Sequence, residues 1–314
     1  MNLKSPQSSP VINAMTVDVE DYFQVAAFED CIHRQDWGHW PVRVEANTRR
    51  VLELFEGHDV HATFFILGWV AERFPALMRE IAAAGHEVAS HGFGHERITT
   101  LSRAAFSEGV VRTKHMLEDL TGTAVRGYRA PSYSVGPTTL WAYEALREAG
   151  YDYSSSIVPI RHDLYGMPEA PRFAFFTKHE GMLEIPVTTM RMWNRNWPCG
   201  GGGYFRLLPY ALFRRGLRRV NRRESRSGVF YFHPWEVDPD QPRVPGVTTK
   251  NRVRHYLNLA RTAPRIEQLV RDFRFDRMDK VFLAPGHADY PVVTLQPDAP
   301  TAHQGGISHA RPFG

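Results

Sequence analysis

Two histidines four residues apart, His91 and His95, lie in a glycine-rich segment, Ser90-His91-Gly92-Phe93-Gly94-His95, directly after an apolar run. An acidic cluster, Asp18-Val19-Glu20-Asp21, closes the first apolar run of the chain. Neutral imidazoles with one carboxylate are the donor set of a catalytic divalent cation that keeps a position open for water. The constellation points to metal-dependent hydrolysis.

On a strand, Asp18 and Glu20 share a face while Val19 turns into the packing. One of these carboxylates can bind the ion and the other can take a proton from its water. Asp21 rivals Glu20 as the ligand if the strand ends early. Arg129, in Tyr128-Arg129-Ala130-Pro131-Ser132-Tyr133, can hold a carboxylate by two hydrogen bonds. Pro131 stiffens the following turn, so the N–H groups after it can face a developing oxyanion. His233 closes an apolar strand and can act as a general acid for a leaving amine; a satisfied core histidine is the plainer reading.

The glycine run Gly200–Gly203 either lets backbone approach a ligand closely or acts as a hinge. Trp193, Trp197, Tyr204 and Trp235 lie in or near the same loops and suit the apolar face of a sugar ring, or the core. Seven arginines fall between Arg214 and Arg226, opposite an apolar stripe of Phe213, Leu217 and Val220. They form a solvated basic face or, on the sharper reading, a contact for an anionic membrane or an acidic polymer.

The elements that must position these groups alternate between strand and helix. Strands are predicted at 11–19, 61–67, 87–90, 125–130, 151–158, 183–187, 229–233 and 280–283. Helices are predicted at 47–56 with Asn47 as N-cap, 75–85, 102–120, 137–150, 209–221 and 252–273. Alternation implies parallel strands with right-handed crossovers. Asp18, His91, Arg129 and His233 fall at the C-terminal ends of different strands, which a barrel gathers around one mouth. Residues 159–182 and 188–208 read as long irregular insertions.

Composition sets outer limits. Of 314 residues 43% are hydrophobic and 23% charged, enough for a globular core, and the net charge of +4 is modest. Two distant cysteines, Cys31 and Cys199, exclude a CxxC metal site and a disulfide framework. No P-loop or GxGxxG pattern supports nucleotide binding. No signal-peptide pattern and no apolar run of ~18 residues is present, so a cytoplasmic, membrane-peripheral location is expected.

In order, the chain carries TVDVED, SHGFGH, RAPSY, GYDYSSSI and YFHPWE. This order resembles the NodB-like polysaccharide deacetylases, carbohydrate esterase family four, over roughly residues 12–285. The longer stretches TVDVEDYFQV, PIRHDLYG, GGGYFRLLPY and HPWEVDPDQPR resemble the subgroup encoded in exopolysaccharide loci linked to exosortase and PEP-CTERM sorting. The resemblance implies an α/β fold, a distorted (β/α) barrel with long loops and a C-terminal extension beginning near residue 190, flanked by a disordered N-terminus (1–11) and a flexible tail (286–314). It implies a divalent metal, most readily zinc, on Glu20, His91 and His95, with Asp21 as alternative to Glu20. Asp18 would be the catalytic base, Arg129 its orienting partner and His233 the acid. Ser132, Tyr133, Tyr204 and Trp235 would meet the substrate or its oxyanion. The substrate would be an N-acetylated poly- or oligosaccharide, with no nucleic acid partner.

Two features depart from that pattern. A valine separates the two carboxylates, and the fourth motif reads Tyr153-Ser154-Ser155-Ser156 where an aspartate is usual. The carboxylate that tunes His233 would then be Asp152, Asp163 or Glu236. Two rival functions remain at this level: a metal-independent amidohydrolase of small ureides on the same fold, and a non-catalytic glycan-binding subunit.

Overall fold

In the computed structural model the described residues are 11–162, 165–284 and 289–296. Strand β1 (Ile12–Val19) is buried along nearly all its length, as a parallel strand covered on both faces must be. It leads to α1 (Val44–Glu56), β2 (Thr63–Ile66), α2 (Gly68–Arg73), α3 (Pro75–Ala83), β3 (Glu87–Ser90), α4 (Arg103–Thr121), β4 (Gly127–Tyr128), α5 (Ala142–Glu148) and β5 (Tyr153–Ser154). Strands β6 (Phe175–Thr177) and β7 (Leu183–Glu184) follow, then the hairpin β8 (Thr189–Met192) and β9 (Arg195–Pro198). The remainder is α6 (Gly202–Leu207), α7 (Tyr210–Arg223), β10 (Val229–Phe232), α8 (Thr249–Tyr256), α9 (Thr262–Asp272), β11 (Arg274–Asp276), α10 (Met278–Phe282) and β12 (Val292–Val293).

The sheet runs β10-β1-β2-β3-β4-β5-β7-β6-β12, with β11 also on β1, and is parallel except where β6 meets β7. Hydrogen bonds then close the circle. Val187 N donates to Ile157 O at 3.0 Å, Cys199 N to Thr188 O at 3.1 Å, and Tyr231 N to Gly200 O at 2.7 Å. The segment after β7 and the glycine run thus join β5 to β10, and the strands form a distorted (β/α) barrel. A Cβ on Gly201, at φ +124°, would lie 1.9 Å from the Tyr231 carbonyl oxygen, so only glycine permits this seam. The run is neither a hinge nor wholly a ligand cradle: Gly200–Gly202 close the barrel, and Gly203 alone lines the cavity described below.

Local chemistry sets the helix bounds. Ser102 Oγ accepts from Ala105 N at 3.2 Å at the start of α4, and Gly122 ends it at φ +67°. The core faces of α1, α3 and α4 are the apolar stripes Val51/Phe55, Leu77/Ile81 and Phe106/Val110/Leu117.

Several expectations are corrected. Asn47 is not an N-cap: α1 begins at Val44, and Asn47 is buried inside it, donating to Asp238 Oδ2 at 3.1 Å. The 252–273 helix is broken between α8 and α9, where Asn258 turns left-handed at φ +56°. The helix expected at 137–150 is confined to α5. Residues 280–282 belong to helix α10, with Leu283 as its C-cap, and none of them is in a strand; the last pairing on β1 comes earlier, from β11. The insertion 188–208 is an ordered hairpin and helix. Of the expected tail, β12 (Val292–Val293) pairs with β6, and Phe176 N donates to Pro291 O at 2.9 Å, so this part of it joins the sheet. The rest of that tail and residues 1–10 lie outside the described residues.

Candidate metal centre and active site

The C-terminal ends of β1, β3, β4 and β10 meet at one mouth. Asp18 is on β1, and His91, Arg129 and His233 each follow the last residue of their strands. Glu20 comes just after β1. In the loop after β3, Gly92 at φ +76° and His95 at φ +57° turn the chain back, so both rings approach one point, 5.4 Å apart. Donor atoms of Glu20, His91 and His95 all lie within 4.8 Å of one another, and all three residues are buried.

The donor chemistry fits a cation. His91 donates Nδ1–H to the Arg129 carbonyl at 2.8 Å, which leaves Nε2 as its lone-pair nitrogen. Burial, opposed by Asp18, depresses its pKa to about 4, so the ring is neutral at pH 7. Glu20 Oε2 is buried without a hydrogen-bond donor, although His95 Nε2 stands 2.8 Å away. An orphaned carboxylate oxygen facing two imidazoles is the arrangement a bound ion would satisfy. Burial raises the Glu20 carboxyl, but His95 and His233 overcome this and hold it at about 2. Trp235 Nε1 donates to Glu20 Oε1 at 3.3 Å, which fixes the other oxygen toward the histidines.

Asp21 does not join the cluster. Its carboxylate accepts from the backbone N–H of Tyr22, Arg43 and Val44 at 2.8, 2.7 and 2.8 Å and so caps α1. Burial raises its pKa to about 6 against those donors.

Asp18 Oδ1 receives Arg129 Nη1 at 2.5 Å. The guanidinium is fully buried and also donates to Thr16 Oγ1 at 2.8 Å, Ser155 O at 3.1 Å and Ser155 Oγ at 3.0 Å. Ser156 Oγ accepts from Ala130 N at 2.9 Å. Glu184 in turn accepts from the Ser156 and Ile157 amides, both at 2.8 Å. The Tyr153–Ser156 segment therefore works as the socket of Arg129. Asp18 Oδ2 faces the open side, 3.5 Å from Tyr133 OH and 3.9 Å from His233 Nε2.

His233 Nδ1 lies 2.7 Å from Glu236 Oε1, and Glu236 Oε2 accepts from buried Arg206 Nε at 2.6 Å. Burial lowers the His233 pKa, but Glu20 and the Glu236 hydrogen bond outweigh it and raise it to about 9. Of the two candidate tuning carboxylates that lie among the described residues, Asp152 and Glu236, Glu236 is the one that meets His233. Asp152 pairs with Arg126 at the surface, and Asp163 lies outside the described residues.

A cavity of about 620 Å³ opens over these groups and is lined by Asp18, Glu20, His91, His95 and His233. Ser132, Tyr133, Tyr204 and Trp235 also line it. Ser132 and Tyr133 sit at φ +53° and +50°, unusual for side chains with a Cβ. Tyr133 N–H is given to Ala130 O at 3.0 Å, so Ser132 N–H is the better placed of the two for an oxyanion. Trp235 is stacked between His233 and His255, at ring separations of 5.1 and 4.2 Å. Trp193 and Trp197 stand apart, on the β8–β9 hairpin.

Sequence reasoning gave no role to Thr16, Ser155 or Arg206, although Ser155 and Arg206 lie in the quoted motifs and Thr16 lies two residues before Asp18 and hence on its face of β1.

Residues 27–154 match the family model described as polysaccharide deacetylase, and residues 155–283 match a domain of unknown function, DUF3473. The Helicobacter pylori peptidoglycan deacetylase is 32% identical over 114 residues, 36% of this chain and 38% of that protein. A Bacillus cereus peptidoglycan-N-acetylglucosamine deacetylase is 32% identical over 98 residues, 31% of this chain and 36% of its own length. The chain thus spans well under half the length of either relative. The solved Puue allantoinase has a TM-score of 0.55 at 15% identity, covering 88% of this chain and 90% of that one, which is a likeness of fold. The chain therefore carries a polysaccharide deacetylase domain over residues 27–154, followed by a DUF3473 region over residues 155–283.

Proposed function

We propose that this protein is a metal-dependent hydrolase that removes N-acetyl groups from amino sugars of an exopolysaccharide or its precursor, acting in the cytoplasm at the membrane periphery. The observation that carries the reading is the buried, donor-less Glu20 oxygen facing His91 and His95, with a second carboxylate, Asp18, beside it. Imidazole and carboxylate donors suit zinc, which when bound acidifies water and polarises an acyl carbonyl.

Asp18 Oδ2 accepts a proton from the attacking water, while Arg129 keeps Asp18 ionised and aimed. Ser132 N–H faces the oxygen on which charge develops. His233, held protonated between Glu236 and Glu20, gives its Nε2 proton to the departing amine, and acetate leaves. Tyr204 supplies an aromatic wall for the sugar. The relatives' printed names support a glycan substrate, and the resemblance to exosortase-linked loci supports an exopolysaccharide.

The test is metal analysis of purified protein, then acetate release from N-acetylglucosamine oligomers with and without chelator. Stoichiometric metal and chelator-sensitive release are expected. Release unaffected by chelator, or glycan binding with no release, would overturn the proposal.

A further inference from the structure

The β8–β9 hairpin and the outer face of α7 lie apart from the catalytic chemistry. The hairpin turns at Trp193 and Asn194, with φ of +50° and +57°. Such a two-residue turn favours Asn and Gly, and a bulky ring at its first position is conformationally costly. Trp193 is nevertheless there, 80% exposed, with Trp197 40% exposed and edge-on to it at 6.4 Å. Among the described residues, Trp197 is the ring partner of Trp193, and the strained turn presents the pair to solvent.

Helix α7 packs on this hairpin. A Cβ on Gly216 would come within 2.9 Å of Met190 Sδ on β8. Phe213, Leu217 and Val220 are buried on the adjoining side. Arg214 and Arg218 turn the other way and reach Asp272 at 3.6 and 3.1 Å. At 100° per residue this leaves Leu212, Arg215, Arg219 and Arg222 as one stripe on the flank next to the hairpin, and all four are exposed. Among the described residues, Arg215, Arg219 and Arg222 form no ion pair. Arg191 and Arg195 extend the positive charge onto the hairpin, both exposed.

We propose that this face, Trp193 and Trp197 with Leu212 and the Arg215–Arg219–Arg222 stripe, seats the protein on an anionic lipid surface. Arginines give the long-range attraction to lipid phosphates and acidic headgroups. Indoles, apolar with one polar edge, settle at the headgroup boundary, and Leu212 adds aliphatic surface that a sugar polymer has no layer to receive. The proposal is independent of the catalytic reading.

The test is co-sedimentation of the full chain with phosphatidylcholine vesicles, plain or about one-third phosphatidylglycerol. Binding to the anionic vesicles only, weakened by salt, is expected. Arg215→Glu/Arg219→Glu/Arg222→Glu should lower partitioning more than about tenfold. Trp193→Ser/Trp197→Ser should lower it about fivefold with the arginines intact. Far-UV circular dichroism and turnover of soluble oligomers should be unchanged in both, since these side chains are outside the site. Equal partitioning to both vesicles, or none, would overturn the proposal. So would loss on charge reversal with full retention in the tryptophan pair, which marks a surface for acidic polymer instead. If wild type releases no acetate while vesicle binding follows the expected pattern, only the catalytic reading fails.

Discussion

Glu236 holds His233 by its Nδ1 at 2.7 Å, three residues away on the same turn, and is itself held by Arg206 from α6. The first half of the chain supplies the proposed metal donors and base, and the second half supplies the proposed acid, His233, with its supporting pair, Glu236 and Arg206.

This relationship fixes a titration. In metal-free protein, His233 should lose its proton near pH 9 by histidine NMR. A raised pKa means that this ionisation stabilises the fold fully below about pH 6.5, and that the contribution fades as pH rises through about 9. Glu236→Gln should lower the midpoint and move the alkaline limb of turnover to lower pH. An unmoved midpoint would remove Glu236 from the role.

Arg206 should be costly to lose. Removing one partner of a buried pair leaves an uncompensated charge, worth about 3–5 kcal/mol. Arg206→Ala should lower the melting temperature sharply, and Arg206→Ala/Glu236→Leu should recover part of the loss by denaturant titration.

Asp18→Asn should reduce acetate release by about 10²–10⁴-fold. Metal content should stay near that of wild type, because Asp18 is not among the three clustered donors. Near-normal release would refute its role as base.

His91→Ala and Glu20→Gln should each lose metal, read by elemental analysis, whereas Asp21→Asn should keep it. The Asp21 variant should instead destabilise the start of α1 by about 0.5–2 kcal/mol. Metal loss in Asp21→Asn with Glu20→Gln fully loaded would reverse the assignment.

Gly201→Ala should destabilise the barrel by at least about 2 kcal/mol. A Cβ at that position meets backbone at 1.9 Å, which no rotamer can relieve. Unfolding in denaturant measures the cost.

Much of the centre was legible in the sequence because strand-end positions and period-two faces are local properties. His91, Arg129 and His233 fall at the ends of runs that read as strands, and parallel strands bring such ends together. Asp18 and Glu20 were readable as one face, but the choice between Glu20 and Asp21 was not. That choice depends on where the amides of Arg43 and Val44 lie, more than twenty residues on, and only the fold brings them to Asp21. The missing aspartate of the fourth motif was visible as a gap. Which carboxylate would face His233 was not decidable among Asp152, Asp163 and Glu236; of the two that are described, packing gives Asp152 to Arg126 and Glu236 to His233. Likewise the glycine run announced a close approach of backbone without naming the partner, which is Tyr231 across the barrel seam. Residue type and spacing determined which chemistry this chain can do. Tertiary contact decided which oxygen faces an ion and which caps a helix, since a carboxylate's role is set by the donors that reach it first.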